Sequence, residues 1–286
     1  MRPRSPSAPP TDPINPHQGE PVPENINDRI SYDLVERVAR IELTHSKAHN
    51  SLDGQMGQAL LLAAERAAAD VRRGEARVVV LSAQGRAFSV GGDLAEFGSS
   101  PDRGAQVKAT ADGLHAGLAI LRSLDVPVVS VIQGTAAGGG LGIALCGDIV
   151  LAAAEAKLVF AYTASGLTPD CGLTSIVPQR ISWVRAMDLA LTNRLITGAE
   201  AAEWGLVSRA VPGAELDATV EAVVADLRDG AATALADTKR LMAASADRDY
   251  AEQMDEEAAS IARNIASPDG VEGVDAFLAK RKPAFS

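Results

Sequence analysis

The spacing of apolar and polar positions changes several times along this chain, and each change marks an element. Val35–Leu43 alternates as a half-buried strand does. From about Asp53 to Arg73 the spacing lengthens to that of a helix, with Met56, Leu60, Leu61 and Ala64 recurring on one side. Ala76–Ser82 contains Val78-Val79-Val80-Leu81, an unbroken apolar run of the kind a parallel sheet buries on both faces. Val107–Ser123 is helical again, with Leu114, Leu118 and Leu121 on one stripe. Val126–Ile132 reads as a second buried strand, followed by an Ala/Leu helix ending near Cys146. Asp148–Ala153 and Lys157–Phe160 are further strands. Ordered structure is expected to begin near Ile30.

Two glycine-rich turns punctuate this pattern: Ala87-Phe88-Ser89-Val90-Gly91-Gly92-Asp93-Leu94, and the stretch from Gly134 to Gly142. Each follows a strand and precedes a helix, so the expected class is α/β with parallel pairings. Glycines at helix starts leave backbone N–H groups uncovered, and two such turns in one domain can aim two donors at one oxygen. Thr197-Gly198-Ala199-Glu200 has the spacing of a capping box, opening a helix that Gly205 ends. After Pro212 only helical patterns remain. The expected organisation is a disordered tail over 1–27, a core over 28–212, and a helical segment over 213–286 that packs on the core or on a neighbouring subunit.

Composition narrows the picture. The chain has 286 residues, 47% of them apolar but only 3% aromatic, so Ala, Val, Leu and Ile must build the core. A net charge of −10 argues against nucleic acid as a partner. Lys280-Arg281-Lys282 is either a local anion site or a solvated terminal cluster. The two cysteines, Cys146 and Cys171, form no disulfide framework and no metal-ligand spacing, which fits a reducing cytosol. The proline-rich start has no apolar core of a signal peptide, and no run is long enough to span a membrane.

The candidate sites have dull readings as well as sharp ones. Neither a dinucleotide fingerprint nor a Gly-Lys phosphate loop is present. Ser89 lies one residue short of a nucleophile elbow, and no histidine follows His115, which excludes an α/β-hydrolase order. A Ser89, His115, Asp170 order stays open. Asp170, in Gly166-Leu167-Thr168-Pro169-Asp170-Cys171-Gly172, is a helix N-cap or an acid/base. Asp93 reads as a helix cap and Asp148 as a buried turn carboxylate. His115 sits beside a leucine stripe and reads as packing or as chemistry, and Tyr162 as a core edge residue.

Val78–Phe97 and Val126–Val211 together resemble the crotonase superfamily, the enoyl-CoA hydratase/isomerase family. The likeness extends over most of Ile30–Phe285, including Glu272-Gly273 and Phe277–Phe285. It implies a spiral of ββα turns, a helical C-terminal segment, and trimers or dimers of trimers. It also implies acyl-CoA substrates, with coenzyme A entering as part of the thioester and no tightly bound cofactor or metal. The N–H groups of Gly92 and Gly139 would hold the thioester oxygen. Backbone near Ala48, His49 and Phe88 would line the CoA groove, and Lys280 or Lys282 would meet its phosphates.

Within this family the two glutamates of hydratases fall at Gly142 and Tyr162, so a two-carboxylate hydration is not expected. The Pro169-Asp170-Cys171-Gly172 loop is similar to that of epoxyphenylacetyl-CoA isomerase and dienoyl-CoA isomerase. There an aspartate at this position is the acid/base. Ala136–Val211 also resembles 4-chlorobenzoyl-CoA dehalogenase, in which the matching aspartate is a nucleophile, a histidine at the position of His115 assists, and a tryptophan stands where Tyr162 is here. The expected function is a double-bond or ring isomerisation by Asp170, with His115 and Tyr162 shaping the pocket. An aryl-CoA dehalogenase or hydrolase and a non-catalytic acyl-CoA-binding protein are the alternatives. The segment Gly98–Gly113 and the helical tail are expected to shape the acyl pocket.

Overall fold

The computed structural model describes residues 23–286. Residues 1–22 of the expected tail lie outside that range. The chain opens with three strands, β1 (Glu24–Ile26), β2 (Ile30–Val35) and β3 (Val38–Leu43). Two expectations are corrected here. Residues 24–26, assigned to the tail, pair antiparallel with β2. The single strand expected over Val35–Leu43 is broken, because Glu36 and Arg37 take left-handed φ of 49° and 66° and form a two-residue hairpin turn. Such turns favour Asn-Gly, so Glu-Arg carries no turn signal.

Helix α1 (Gly54–Arg72) starts on Asp53, whose side chain accepts the Met56 N–H at 2.7 Å. A strand, short strand, helix unit then recurs. Its first copy is β4 (Val78–Ala83), β5 (Ala87–Ser89), and the pair α2 (Leu94–Ser99) and α3 (Arg103–Ser123). The helix expected from Val107 thus begins at Arg103, with α2 before it. The second copy is β6 (Val128–Ile132), β7 (Thr135–Ala137) and α4 (Gly139–Ala144). The third is β8 (Ile149–Ala153), β9 (Lys157–Val159) and α5 (Leu173–Arg180).

In each unit the first strand joins a seven-stranded sheet, ordered β1-β2-β3-β4-β6-β8-β11, and the second a four-stranded one, ordered β10-β9-β7-β5. The remaining elements are α6 (Trp183–Thr192), β10 (Ile196–Thr197), α7 (Gly198–Trp204) and β11 (Arg209–Val211). Pairings from β3 through β4, β6 and β8 to β11 are parallel, as are β5-β7 and β7-β9. The architecture is an α/β ββα spiral. Because β5 and β7 are parallel neighbours, the glycine turns that follow them lie side by side.

The helices pack closely. A Cβ on Gly57 of α1 would lie 2.9 Å from the Thr110 carbonyl of α3, so glycine there lets the two helices touch. At α7, Thr197 accepts the Glu200 N–H at 3.1 Å, but the Glu200 carboxylate turns to Arg194 and only half of the expected capping box forms.

The C-terminal 213–286 divides in two. Helix α8 (Gly213–Arg228) buries Leu216, Val220, Val223 and Val224 and packs on β4, β8 and β11. Helices α9 (Ala232–Ala244), α10 (Tyr250–Ile265) and α11 (Pro268–Leu278) bury only Ser260 and Ala276 and leave Tyr250, Ile261 and Phe277 exposed. Lys239 of α9 anchors them, bonding Asp148 at 2.8 Å and the Val126 carbonyl at 3.0 Å. No helix among the described residues is long and apolar enough to cross a membrane.

Candidate active site

The two glycine turns meet backbone to backbone. A Cβ on Gly91 would lie 2.8 Å from the Ala137 carbonyl, and one on Gly138 would lie 3.6 Å from the Gly91 Cα. Gly91 holds a φ of 87°, open to glycine without strain. Around the first turn Leu52 N–H donates to the Gly91 carbonyl and Asp93 N–H to the Leu52 carbonyl. No acceptor among the described residues takes the Gly92 N–H. Gly139 is the first residue of α4, so its N–H precedes the helical ladder.

Gly92 and Gly139 line one cavity of about 280 Å³, together with Tyr162 and Asp170. Its other walls are largely apolar, including Leu52, Val90, Leu94, Phe97, Leu114 and Leu167. Asp170 is the one carboxylate among the lining residues. From the segment 98–113, Val107, Thr110 and Ala111 line it as expected, but no residue of 213–286 does.

The loop from Phe160 to Gly172 places Tyr162 and Asp170. Left-handed residues at Ala161, Gly166, Cys171 and Gly172 fold it back on itself, and Leu167 N–H bonds the Tyr162 carbonyl at 3.1 Å. The Tyr162 hydroxyl thereby donates to Asp170 Oδ1. Burial first, then the Asp170 charge, push the Tyr162 phenol far above its ordinary range, so it remains a donor. The N-cap reading of Asp170 is corrected. Gly172 caps α5 with no side-chain bond, and Asp170 contributes only its carbonyl, to Leu173 N–H.

His115 is exposed on α3 and not packed into the leucine stripe. Its Nε2 accepts the Cys171 N–H at 3.1 Å, which puts the ring proton on Nδ1. The same Nε2 lies 3.7 Å from Asp170 Oδ2. The Cys171 thiol completes a group of three possible ligand atoms within 4.8 Å of one another, a gathering that the sequence spacing does not reveal.

Other candidates are placed elsewhere. Ser89 is wholly buried, donates to the Asn50 carbonyl at 2.7 Å and accepts the Gly91 N–H at 3.2 Å, so it locks the turn and cannot serve a Ser89–His115–Asp170 triad. Asp93 caps α2, as its dull reading has it. Asp148 accepts the Val128 N–H and Lys239. Ala48 and His49 form a tight turn whose His49 carbonyl accepts the Val90 N–H, and the Phe88 side chain is fully buried with its carbonyl on Asn50. None of the three lines the cavity. Lys282 lines a separate surface hollow with Arg37, Arg77 and Arg228, and Lys280 does not reach the Asp170 cavity.

Position 142 explains itself. A Cβ on Gly142 would lie 2.5 Å from the Cys171 Cβ and 2.6 Å from its carbonyl oxygen, so no side chain fits. The sequence reading missed Cys171, which signals nothing as a lone cysteine. It also missed Phe97, whose ring edge lies 2.7 Å from where a Cβ on Gly92 would be.

Comparison with known proteins identifies the family. The family described as enoyl-CoA hydratase/isomerase matches residues 34–286. A Rhodobacter capsulatus protein named "Probable enoyl-CoA hydratase" is 35% identical over 90% of this chain and 97% of its own. The 1,2-epoxyphenylacetyl-CoA isomerase of Escherichia coli is 35% identical over 73% of this chain and 81% of its own. The crystal structure of an enoyl-CoA hydratase from Polaromonas superposes with a TM-score of 0.83 at 27% identity, covering 90% of this chain and 99% of that one. The fold, the paired glycine turns and these matches together make the chain a member of the enoyl-CoA hydratase/isomerase family.

Proposed function

We propose that this enzyme isomerises acyl-CoA thioesters, with Asp170 taking a proton from one carbon of the acyl group and delivering a proton to another. The observation that carries this reading is the single carboxylate. Asp170 lines the cavity beside both glycines, while position 142 has no room for a second acid. Hydration asks two groups to hold and ionise one water; isomerisation asks one group to accept a proton and then to donate one, which solvent can exchange in between. Tyr162 holds Oδ1, leaving Oδ2 as the base.

As the proton leaves, negative charge moves to the thioester oxygen. In this reading the N–H groups of Gly92 and Gly139 receive it, each worth about 3–4 kcal/mol. The CoA portion runs by the backbone of Ala48, His49 and Phe88. Lys280 or Lys282 of a neighbouring copy meets its phosphates in a trimer or dimer of trimers, which also covers the apolar residues exposed on α9–α11.

The test is a panel of enoyl-, dienoyl- and arylacetyl-CoA thioesters in deuterated water, followed by mass spectrometry. Wild type is expected to incorporate deuterium and shift the unsaturation of at least one member, and Asp170→Asn to do neither while still binding thioester. An active Asp170→Asn would remove Asp170 from the mechanism. Heavy oxygen from labelled water appearing in the Asp170 side chain would make it a nucleophile instead. Tight binding without exchange in wild type would leave a binding protein.

A further inference from the structure

Cys171 belongs neither to the glycine turns nor to the proton path, yet it lies against the second glycine turn, His115 and Asp170. Its backbone is left-handed, with φ 50°, a conformation that a residue bearing a Cβ holds only when its surroundings fix it. That conformation turns its N–H onto His115 Nε2 at 3.1 Å, tying the loop to α3. Its side chain, 1% exposed, lies against the second glycine turn. Sγ is 3.2 Å from where a Cβ on Gly139 would sit, and the Cys171 Cβ blocks the same place on Gly142.

Burial, followed by the charge of Asp170 and a hydrogen bond to it, push the thiol well above its ordinary range. It therefore stays protonated, an inert filler and S–H donor facing the carboxylate. A larger side chain would collide with the turn. Removal of the thiol would open a gap between Asp170 and Gly139.

Resting on the reading of Asp170 as proton carrier, we propose that Cys171 is a positioning residue. It fills the space over Gly139 and Gly142 and docks its N–H on His115, and so fixes the carboxylate at one distance from the thioester oxygen. Reaction rates are steep in such placement, since a shift near 1 Å is enough to lower a rate about a hundredfold.

The experiment compares Cys171→Gly and Cys171→Ser with wild type, using whichever panel thioester wild type turns over fastest. Glycine suits the left-handed backbone, so Cys171→Gly is expected to stay folded with a Tm close to wild type. Its kcat should fall about ten- to a hundredfold at unchanged KM. Cys171→Ser, which keeps a small donor in place, should recover most of that loss. The proposal is overturned by a Cys171→Gly enzyme of wild-type kcat, or by kcat falling only in step with Tm. Asp170→Asn is assayed beside them. Full activity in that variant would overturn the reading of Asp170 itself, whereas an inactive Asp170→Asn with an unaffected Cys171→Gly would overturn only the placement by Cys171.

Discussion

Asp93 and Asp170 are both aspartates in a loop between a short strand and a helix, Asp170 lining the cavity and Asp93 between two residues that line it. Their donors differ. Asp93 Oδ1 accepts the Ala95 and Glu96 N–H groups at 3.1 and 3.0 Å, and Oδ2 accepts the Ser51 hydroxyl at 3.2 Å. Asp53 is engaged in the same way at the start of α1. No main-chain N–H reaches the Asp170 side chain among the described residues; a phenol holds one oxygen, and the other faces His115. What a carboxylate does is decided by the donors its loop presents. A helix start satisfies it with main-chain N–H groups, whereas the folded-back loop leaves the Asp170 carboxylate to side-chain donors alone.

The sharpest break of this contrast is Asp170→Asn. We expect kcat to fall about a thousandfold, in the range of a lost general acid/base. Tm should hold or rise, because a carboxylate beside an apolar cavity is kept for chemistry at some expense of stability. Thermal unfolding measured beside turnover decides it. A large drop in Tm would make Asp170 a structural residue like Asp93.

Tyr162→Phe comes next. Removing a hydrogen bond to a charged acceptor costs about 1.5–3 kcal/mol, so kcat should fall about ten- to a hundredfold if that bond keeps Asp170 in place. Measurement of kcat and KM at one pH checks it. An unchanged kcat would show that the loop alone holds the carboxylate.

Much of the fold was legible because it is local. Val78–Leu81 and Val126–Ile132 declare buried strands, the glycine turns declare the helix starts after them, and Asp53 announces α1. The Glu36-Arg37 hairpin was not legible, since neither residue favours a left-handed backbone and the sheet imposes it. The site was legible in its parts and not in its assembly. Tyr162 meets Asp170 because Ala161, just before the tyrosine, and Cys171, just after the aspartate, adopt left-handed φ although neither is glycine. His115 reads as packing because of its leucine neighbours, but its side chain is exposed and accepts the Cys171 N–H.

Asp93→Ala tests the opposite pole. Loss of an N-cap costs about 1 kcal/mol, visible as a lowered Tm with kcat near wild type. A collapse of kcat without loss of Tm would erase the distinction between the two aspartates.

The smallest effect is the most specific to the capping role, and it lies in the pH dependence of Asp53. Burial alone would raise this carboxyl, but the Arg29 hydrogen bond, then that of the Met56 N–H, then the Arg29 charge outweigh it and hold it below its ordinary range. Because the folded-state value is the lower one, the stability it contributes is fully present above the unfolded value, about 3.9. That contribution is lost as pH falls through the folded value. Asp53→Asn keeps an oxygen for the Met56 N–H but offers Arg29 no charge. Urea unfolding at pH 7 should then find the variant less stable by about 1 kcal/mol, the net worth of one hydrogen bond in a pair whose side chains are mostly buried. As pH falls below about 4 the two curves should converge, since at position 53 only the wild type has a charge to lose. A gap that stayed constant into acid would mean that Asp53 works by the shape of its cap and not by its charge.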